Sequence, residues 1–362
     1  MERTAGMKQK DENRFCSPFD PDSPDIYRGE GERGFNKILI SLCILLLTLF
    51  ASCNDSGNRI ALPGSTGKTG EIIIVMPENG WTGKPGNALR LCLAAEHPAL
   101  PQPEPMFTLV QIPPPAFKGI FKTHRNVFII RSSDTSGKDS FISRHGAWSK
   151  EQVSMELTLS RNQDMDRFLK NNCSLITDFF RKSERSRMIA NYSKLADKTV
   201  MQEISSTQGI SLTVPKGYKS MRNTNNFTWL QRETEETIQG ILIYSVPYTD
   251  SVFTGDNRLR SIRDSVCKIN VPGPSAGSYM MTMSDFPLVK TEIHHGRFPA
   301  LEIRGLWQVQ NDFMGGPFVA LFLSDRQKKR LICIEGFVFA PKYDKREYLR
   351  QVDAIVYSAK VN

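Results

Sequence analysis

Histidines and carboxylates that could do acid–base chemistry are concentrated in one short stretch of this sequence. Glu292, His294 and His295 lie close together, and Asp264 precedes them in a helix-like segment. A histidine held beside a carboxylate can act as the general base of a hydrolase. Because side chains alternate along a strand, His294 and His295 point to opposite faces, which favours a surface or hydrogen-bonded pair over a shared ion. The sequence leaves a hydrolase site open, and we expect no metal centre.

A glycine-rich segment before the first strand resembles a phosphate-binding loop. Gly64 to Thr69 reads Gly-Ser-Thr-Gly-Lys-Thr, and such loops cradle phosphates with backbone amides ahead of a Lys-Thr pair. The first glycine of that motif would fall at position 62, which is Leu62. The motif must also follow a strand and open a helix, whereas this segment precedes a predicted strand. We therefore predict a plain loop and no nucleotide cofactor.

A basic and aromatic group near the end of the chain is the other candidate site. Arg304 precedes Trp307, and Gly315 and Gly316 come shortly before Phe318. An arginine over an aromatic ring can form a polar binding surface, and glycines allow a ligand to approach the backbone. The structural alternative is a buried arginine pair and a tight turn before a strand. We hypothesise a contact surface made of these five residues, for a protein partner or an anionic component of the cell envelope.

The cysteines do not form a recognisable metal or redox motif. Cys92, Cys173, Cys267 and Cys333 are far apart and show no Cys-x-x-Cys spacing. Cys92 and Cys333 stand between apolar residues, where a free, buried thiol is the usual state. We expect these two thiols to be free.

An export signal precedes the folded part. The apolar run from Ile38 to Phe50 has 13 residues, follows Arg33 and Lys37, and ends in small residues before Cys53. A helix needs about 20 residues to cross a bilayer, so this run predicts a signal peptide over residues 33–52. Residues 49–53 resemble the lipobox of bacterial lipoproteins, which implies cleavage before Cys53 and lipid on its thiol. The alternatives are an uncleaved anchor and an ordinary secretory cut.

The segments around this signal, and the overall composition, narrow the class of protein. Residues 1–32 are polar and turn-forming, which predicts a disordered extension ahead of the true start, and residues 53–69 predict a tether. With 40% hydrophobic and 23% charged residues, the chain is neither disordered throughout nor a multi-span membrane protein. The net charge of +9 favours anionic surfaces. Because the basic runs lack interleaved aromatic residues, we expect no nucleic-acid partner.

Residues 70–208 alternate between strands and helices, which predicts an α/β domain. The β-branched run at 71–76 predicts a central strand, a helix is expected at 87–96, and two further strands at 106–112 and 125–131 flank a short helix at 114–121. Near-helical spacing from 164 to 204 predicts one long helix or two in series that close this domain.

Residues 209–362 predict an α+β domain in which an antiparallel sheet is packed with helices. The expected strands are 210–214, 227–232, 237–246, 289–295, 300–308, 318–324 and 331–339. Helices are expected at 256–269 and 345–358. This order of elements is similar to that of the Mog1/PsbP-like fold, a resemblance of architecture that implies no activity.

Several short strings are similar to a family of uncharacterised Bacteroidota lipoproteins, domain of unknown function 4837. They are Leu62–Gly67, Val214–Tyr218, Phe227–Leu230, Val271–Pro274, Gly277–Met280, Arg304–Trp307, Met314–Phe318 and Gly336–Pro341. The resemblance spans nearly all of the chain after Cys53 and implies an envelope lipoprotein without an assigned activity. We predict a non-catalytic binding or accessory protein, anchored to the inner or outer membrane with its folded part outside the cytoplasm. The alternative is an envelope hydrolase that uses the histidine and carboxylate residues above.

Overall fold

The computed structural model describes residues 61–133, 139–160, 164–248 and 256–362. The predicted extension (1–32), the signal peptide (33–52), Cys53 and the first part of the tether, to residue 60, lie outside these residues. From Leu62 to Asn362 the chain forms one compact unit that contains two large sheets. None of the helices within the described ranges is both long enough and apolar enough to cross a membrane.

The first sheet has five strands in the order β2-β1-β3-β5-β4. They are β1 (Glu71–Val75), β2 (Thr108–Ile112), β3 (Asn126–Ser133), β4 (Ser140–His145) and β5 (Val153–Ser160). Strands β2, β1, β3 and β5 are parallel, and β4 is an antiparallel edge strand. The apolar side chains of β1 are buried on both faces, which confirms the predicted central strand and the α/β character of this half.

Four helices accompany the first sheet: α1 (Glu78–Thr82), α2 (Lys84–Leu93), α3 (Met165–Asn171) and α4 (Cys173–Lys194). Helix α2 begins earlier than predicted because Pro85 occupies its first turn, a position where the missing amide hydrogen is harmless. Two short 3-10 turns replace the predicted helix at 114–121. Phe180 of α4 packs against Phe107 and Phe128, and this contact fixes α4 on the sheet.

A disulfide joins α2 to α4, which corrects the expectation that Cys92 is a free thiol. Cys92 is bonded to Cys173, and their Cα atoms are 5.5 Å apart. Cys333 is free and buried, as predicted. The pairing could not be derived from spacing, because 81 residues separate the two cysteines.

The second sheet is antiparallel, with strand order β10-β12-β13-β14-β9-β8-β7 and β11 paired to β12. Its strands are β7 (Lys219–Thr224), β8 (Phe227–Glu233), β9 (Ile238–Pro247), β10 (Met280–Thr282), β11 (Val289–His295), β12 (Phe298–Val309), β13 (Gly315–Asp325) and β14 (Arg330–Phe339). A separate pair joins β6 (Ile210–Ser211) to β15 (Lys360–Val361). The α+β character predicted for this half is confirmed.

Three helices cover the second sheet: α5 (Lys198–Gln208), α6 (Asp256–Asn270) and α7 (Arg346–Tyr357). Helices α5 and α7 pack on one face, and α6 packs on the other. A side chain at Gly336 on β14 would bring its Cβ within 2.7 Å of Val352, so glycine lets α7 approach the sheet closely. Val200 and Ile204 place α5 in the core of this sheet, although the sequence grouped residues up to 208 with the first half.

Glu104 ties the proline-containing loop after α2 to the start of α7. Its carboxylate accepts hydrogen bonds from the backbone amides of Lys345 (2.7 Å) and Arg346 (3.0 Å). The first amides of a helix have no partner within the helix and carry partial positive charge, so a carboxylate stabilises them. This cap holds the loop after α2 against α7, beside one cavity.

Candidate functional site

A cavity of about 450 Å³ lies where α2, α4, α7 and strand β12 meet, and we call it the α4 pocket. Cavities that hold small molecules commonly measure about 300–1,000 Å³. One face of α4 lines it, because residues 174, 177, 181, 185 and 188 recur every three or four positions. Its apolar wall consists of Leu91, Ala95, Met106, Phe107 and Met188.

Four arginines from three elements line the pocket. Arg181 and Arg185 stand one turn apart on α4, Arg304 comes from β12, and Arg350 comes from α7. Arg304 is buried, whereas the side chain of Arg181 is 31% exposed. Guanidinium groups are suited to anions because their donors match the geometry of carboxylates and phosphates. The pocket thus combines an apolar wall with a surface of hydrogen-bond donors.

An ion network holds these arginines in place, and one of its carboxylates, Asp353, lines the pocket with them. Arg304 donates to both carboxylate oxygens of Glu302 at 3.0 Å and also to Asp353. Arg185 donates to Asp353 at 2.7 Å, and its guanidinium lies 3.2 Å from the ring centre of Tyr357. Burial alone would raise the pKa of Asp353, but Arg185 and Arg304 hold that pKa below its ordinary value. The carboxylate is therefore ionised at neutral pH and fixes both arginines in place.

His97 contributes a neutral imidazole to the pocket wall. Burial, reinforced by the charges of Arg304 and Arg350, lowers the pKa of His97 to about 3. Its Nδ1 lies 3.1 Å from the carbonyl oxygen of Pro98, which assigns the ring hydrogen to Nδ1. Nε2 then remains an acceptor. An imidazole with so low a pKa is a weak base, so its role is to accept a hydrogen bond rather than a proton.

Two guanidinium nitrogens beside the pocket have no hydrogen-bond partner among the described residues. They are Nη2 of Arg185 and Nε of Arg181. A buried donor left without an acceptor costs about 1–3 kcal/mol. A bound ligand with an oxygen acceptor could satisfy such donors after a small side-chain movement.

The other carboxylates on the wall are held by arginines. Asp178 accepts from Arg181 at 3.0 Å. Glu184 accepts from Arg125 and Asn126 and pairs with Arg187. Burial alone would raise the pKa of Glu184, but the arginines lower it. Because Glu184 stays ionised, it is poorly suited to donate a proton as a general acid.

Of the five residues predicted as a contact surface, only Arg304 lines the pocket. Trp307 is 2% exposed, packs against Phe337, and donates through Nε1 to the Val338 carbonyl at 3.2 Å. Phe318 is buried below the guanidinium of Arg263.

The glycines of that predicted surface also serve packing within the sheet. Gly315 is half-buried, and Gly316 is buried so close to the Val338 carbonyl that a Cβ would lie 2.0 Å from its oxygen. This part of the sequence therefore does not form an exposed surface, because its large side chains turn into the core.

The histidines and carboxylates of the hydrolase alternative are not brought together. His294 and Glu292 are exposed on β11, while His295 reaches the Ala359 carbonyl at 2.7 Å on the α7 face. Asp264 lies on the opposite face of the sheet, where it accepts from the amide and hydroxyl of Thr282 at 2.7 and 2.6 Å.

A different histidine and carboxylate do meet, beneath the segment that resembles a phosphate-binding loop. Nε2 of His124 lies 3.1 Å from Glu71, and Gly67 lies against the imidazole ring. The loop precedes β1 as predicted, and its packing on His124 indicates a structural role. Within the described residues, no three histidine, cysteine or acidic side chains are grouped to hold a metal ion.

The sequence did not reveal most of the α4 pocket. Arg181 and Arg185 stand out only by their spacing of four residues in a basic run, which is usually a solvated face. His97, Arg350 and Asp353 carry no local signal at all. Arg185 and Asp353 are 168 residues apart, so only the folded chain brings them together.

Two family models match successive parts of the chain. The model of DUF4837, a domain of unknown function, matches residues 197–358, and that of DUF8532, also a domain of unknown function, matches residues 65–193. The predicted resemblance to the first is confirmed, but it does not span nearly all of the chain, because the second model covers the residues before α5. No curated protein matches the sequence.

Solved structures are similar to this chain only weakly. The Ran-binding protein Mog1p of Saccharomyces cerevisiae has a TM-score of 0.29 at 11% identity, over 42% of this chain and 90% of its own. LpqN of Mycobacterium tuberculosis, described as involved in cell envelope biogenesis, has a TM-score of 0.24 at 12% identity, over 42% and 82%. Scores this low carry no functional inference. The chain is thus similar to DUF8532 before the end of α4 and to DUF4837 after it, each over less than half of its length.

Proposed function

We propose that this protein is an exported lipoprotein, anchored in the cell envelope by lipid on Cys53, whose folded part binds a small anionic ligand in the α4 pocket without transforming it. The observation that carries this proposal is the surface of four arginines beside an apolar wall in a cavity of about 450 Å³. The anionic envelope component predicted from the charge of the chain then becomes a ligand of this pocket.

The disulfide between Cys92 and Cys173 supports the exported location. Disulfides form and persist in oxidising compartments and are rare where thiol buffers keep cysteines reduced. Both cysteines border the α4 pocket, so the bond also braces the two helices that shape it. A folded part that requires this bond is expected to reach its native state after export.

The state of the ionisable groups favours binding over catalysis. Asp353 and Glu184 are held ionised by arginines, and His97 is held neutral with a pKa of about 3. A general acid or base works best with a pKa near the operating pH, and these three groups are displaced from it. They remain well placed to orient a ligand.

Chemical analysis of the purified protein tests ligand binding. The full chain, isolated from its native envelope and then denatured, should release a stoichiometric small anion that mass spectrometry can identify. An Ala95→Trp variant should release much less, because the indole would occupy the pocket. An Ala190→Trp variant, at an exposed position of α4 outside the pocket, is the matched control. Equal release from both variants would contradict the proposal.

The anchor is tested separately by a Cys53→Ser variant. We expect the parent chain to carry the mass of a cleaved, acylated cysteine and the variant to lack it. If the variant still partitions with vesicles, and neither chain is processed or shifted in mass, the lipid anchor is wrong.

A further inference from the structure

The chemistry of the α4 pocket narrows the class of ligand that it can bind, and this inference rests on the proposed function. We propose that the pocket binds a single-chain amphiphile, with its anionic head group at Arg181 and Arg185 and its hydrocarbon chain along Leu91, Met106 and Met188. A free fatty acid and a lysophospholipid share this chemistry.

The head-group end is defined by where the charges of the ion network lie. Arg181, Arg185 and Arg304 line the pocket. Asp178 and Asp353, which accept hydrogen bonds from these arginines, line it as well, whereas Glu302 is not part of its wall. Among the described residues, Nη2 of Arg185, on a side chain that is 90% buried, and Nε of Arg181 have no acceptor, and these two donors define the head-group end.

His97 lines the same end of the pocket as two guanidinium groups, those of Arg304 and Arg350. Burial is the main cause of the low pKa of His97, and these two charges add to it against an opposing contribution from Asp353. An anionic oxygen would be attracted there, and Nε2 of His97 could accept a hydrogen bond from a protonated or hydroxylated head group. Asp353 is directed at Arg185 and Arg304, which limits its repulsion of such a ligand.

The chain-binding end is defined by exposed apolar surface that continues into the cavity. Leu91 lines the pocket although its side chain is 73% exposed, and Met106 and Met188 lie on the same apolar wall. Methionine adapts its shape to irregular apolar partners, so Met106 and Met188 suit a flexible hydrocarbon chain. A small inorganic anion would leave this wall without a partner.

Photo-crosslinking on the full membrane-anchored chain tests the inference. A palmitate analogue with a diazirine near the end of its chain should label peptides that contain Leu91, Met106 or Met188. Palmitate or 1-palmitoyl-lysophosphatidate should compete at a concentration at least tenfold below that of uncharged hexadecanol. The better competitor identifies the head group. Equal competition by hexadecanol, or labelling outside the pocket alone, would overturn the inference.

Chain length and one matched pair of variants sharpen the test. Each additional methylene of the competitor that packs against the apolar wall should lower the concentration needed for competition about fourfold, until the cavity is filled. Arg181→Gln should weaken competition by palmitate about tenfold, the value of one charge-assisted hydrogen bond, and leave hexadecanol unchanged. Arg167→Gln, at an exposed arginine on α3, should change neither. An Arg181→Gln chain that folds as the parent does and binds palmitate equally well would contradict the assigned head-group site.

The outcome separates this inference from the proposed function. If denaturation of the native protein releases an anion without a hydrocarbon chain, the pocket binds a ligand but not an amphiphile. If nothing is released and nothing crosslinks in the pocket, both statements fail.

Discussion

Helix α4 carries two arginine–carboxylate clusters. Comparing them shows which charged residues stabilise the fold and which are available to a ligand. Toward the first sheet, Glu184 stands between Arg125 and Arg187 and also accepts from Asn126 and from the Gly70 amide. We call this group the core cluster.

Toward the second sheet, Arg181 and Arg185 join Arg304, Glu302 and Asp353 in what we call the pocket cluster. Within the described residues, both clusters contain guanidinium nitrogens without partners, including Nε of Arg125 and of Arg187, so incomplete hydrogen bonding does not distinguish them. What differs is how the arginines meet the cavity. Glu184 reaches the pocket wall but Arg125 and Arg187 do not, whereas all three arginines of the pocket cluster line the cavity, beside Asp353.

Removing the charge at the centre of the core cluster should have the largest effect on the free energy of unfolding. Glu184→Gln leaves Arg125 and Arg187 buried without their counter-ion, and breaking such a pair commonly costs about 3–5 kcal/mol. Denaturant unfolding should show this loss in the free energy of unfolding. Glu203→Gln, an exposed position on α5, should change it by no more than about 0.5 kcal/mol. A small loss at Glu184 would mean that the core cluster is not structural.

Removing the disulfide should cause the next largest decrease in the free energy of unfolding. A Cys92→Ser, Cys173→Ser double variant should lose about 2–4 kcal/mol, because the bond closes a long loop and restricts the unfolded chain. Reducing agent should lower the stability of the parent to that of the variant and leave the variant unchanged. If reduction leaves the stability of the parent chain unchanged, the disulfide does not stabilise the packing of α2 against α4.

Acid should lower the free energy of unfolding through His97, which lies on the wall of the α4 pocket. Its pKa lies at about 3 in the folded chain, against an ordinary value of 6.5, so the unfolded chain binds more protons between these values. The contribution of this group to stability is therefore present above pH 6.5 and is lost as the pH falls toward 3. We expect His97→Gln to remove about 1.6 kcal/mol of the decrease in the free energy of unfolding between pH 6.5 and 5. Identical pH profiles for parent and variant would show that His97 does not titrate as described.

Arg181→Gln should have the smallest effect on stability. Its side chain is 31% exposed, and its hydrogen-bonding partner Asp178 is more exposed still. Its contact with buried Glu302 is longer, at 3.6 Å, and Glu302 keeps Arg304 as a counter-ion in the variant. Exposed ion pairs contribute about 0–1 kcal/mol, so unfolding should shift by about 0.5 kcal/mol or less. Together with Glu184→Gln, this variant shows whether the pocket arginines are retained for binding rather than for folding. A loss as large as that at Glu184 would remove the distinction between the two clusters.

The sequence predicted most of the fold where the pattern was local. The strands β1, β9, β12 and β14 and the helix α7 were placed correctly, because runs of apolar residues are bounded by turn residues. Strand β7 was missed because all six of its residues are exposed and polar residues dominate it. Strand β5 carries a strand signal in the alternation of Val153, Met155, Leu157 and Leu159, so it could have been predicted.

What the sequence determined by itself is most of the elements, the α+β architecture and the absence of a phosphate-loop spacing at Leu62. The fold decided which charges meet. Arg185 contacts Asp353 and Cys92 bonds Cys173 across long separations in the chain, and nothing in their neighbourhoods specifies those partners. Periodicity reports which face of an element is buried, but a pocket forms between faces of several elements, so its membership is set only when they pack together.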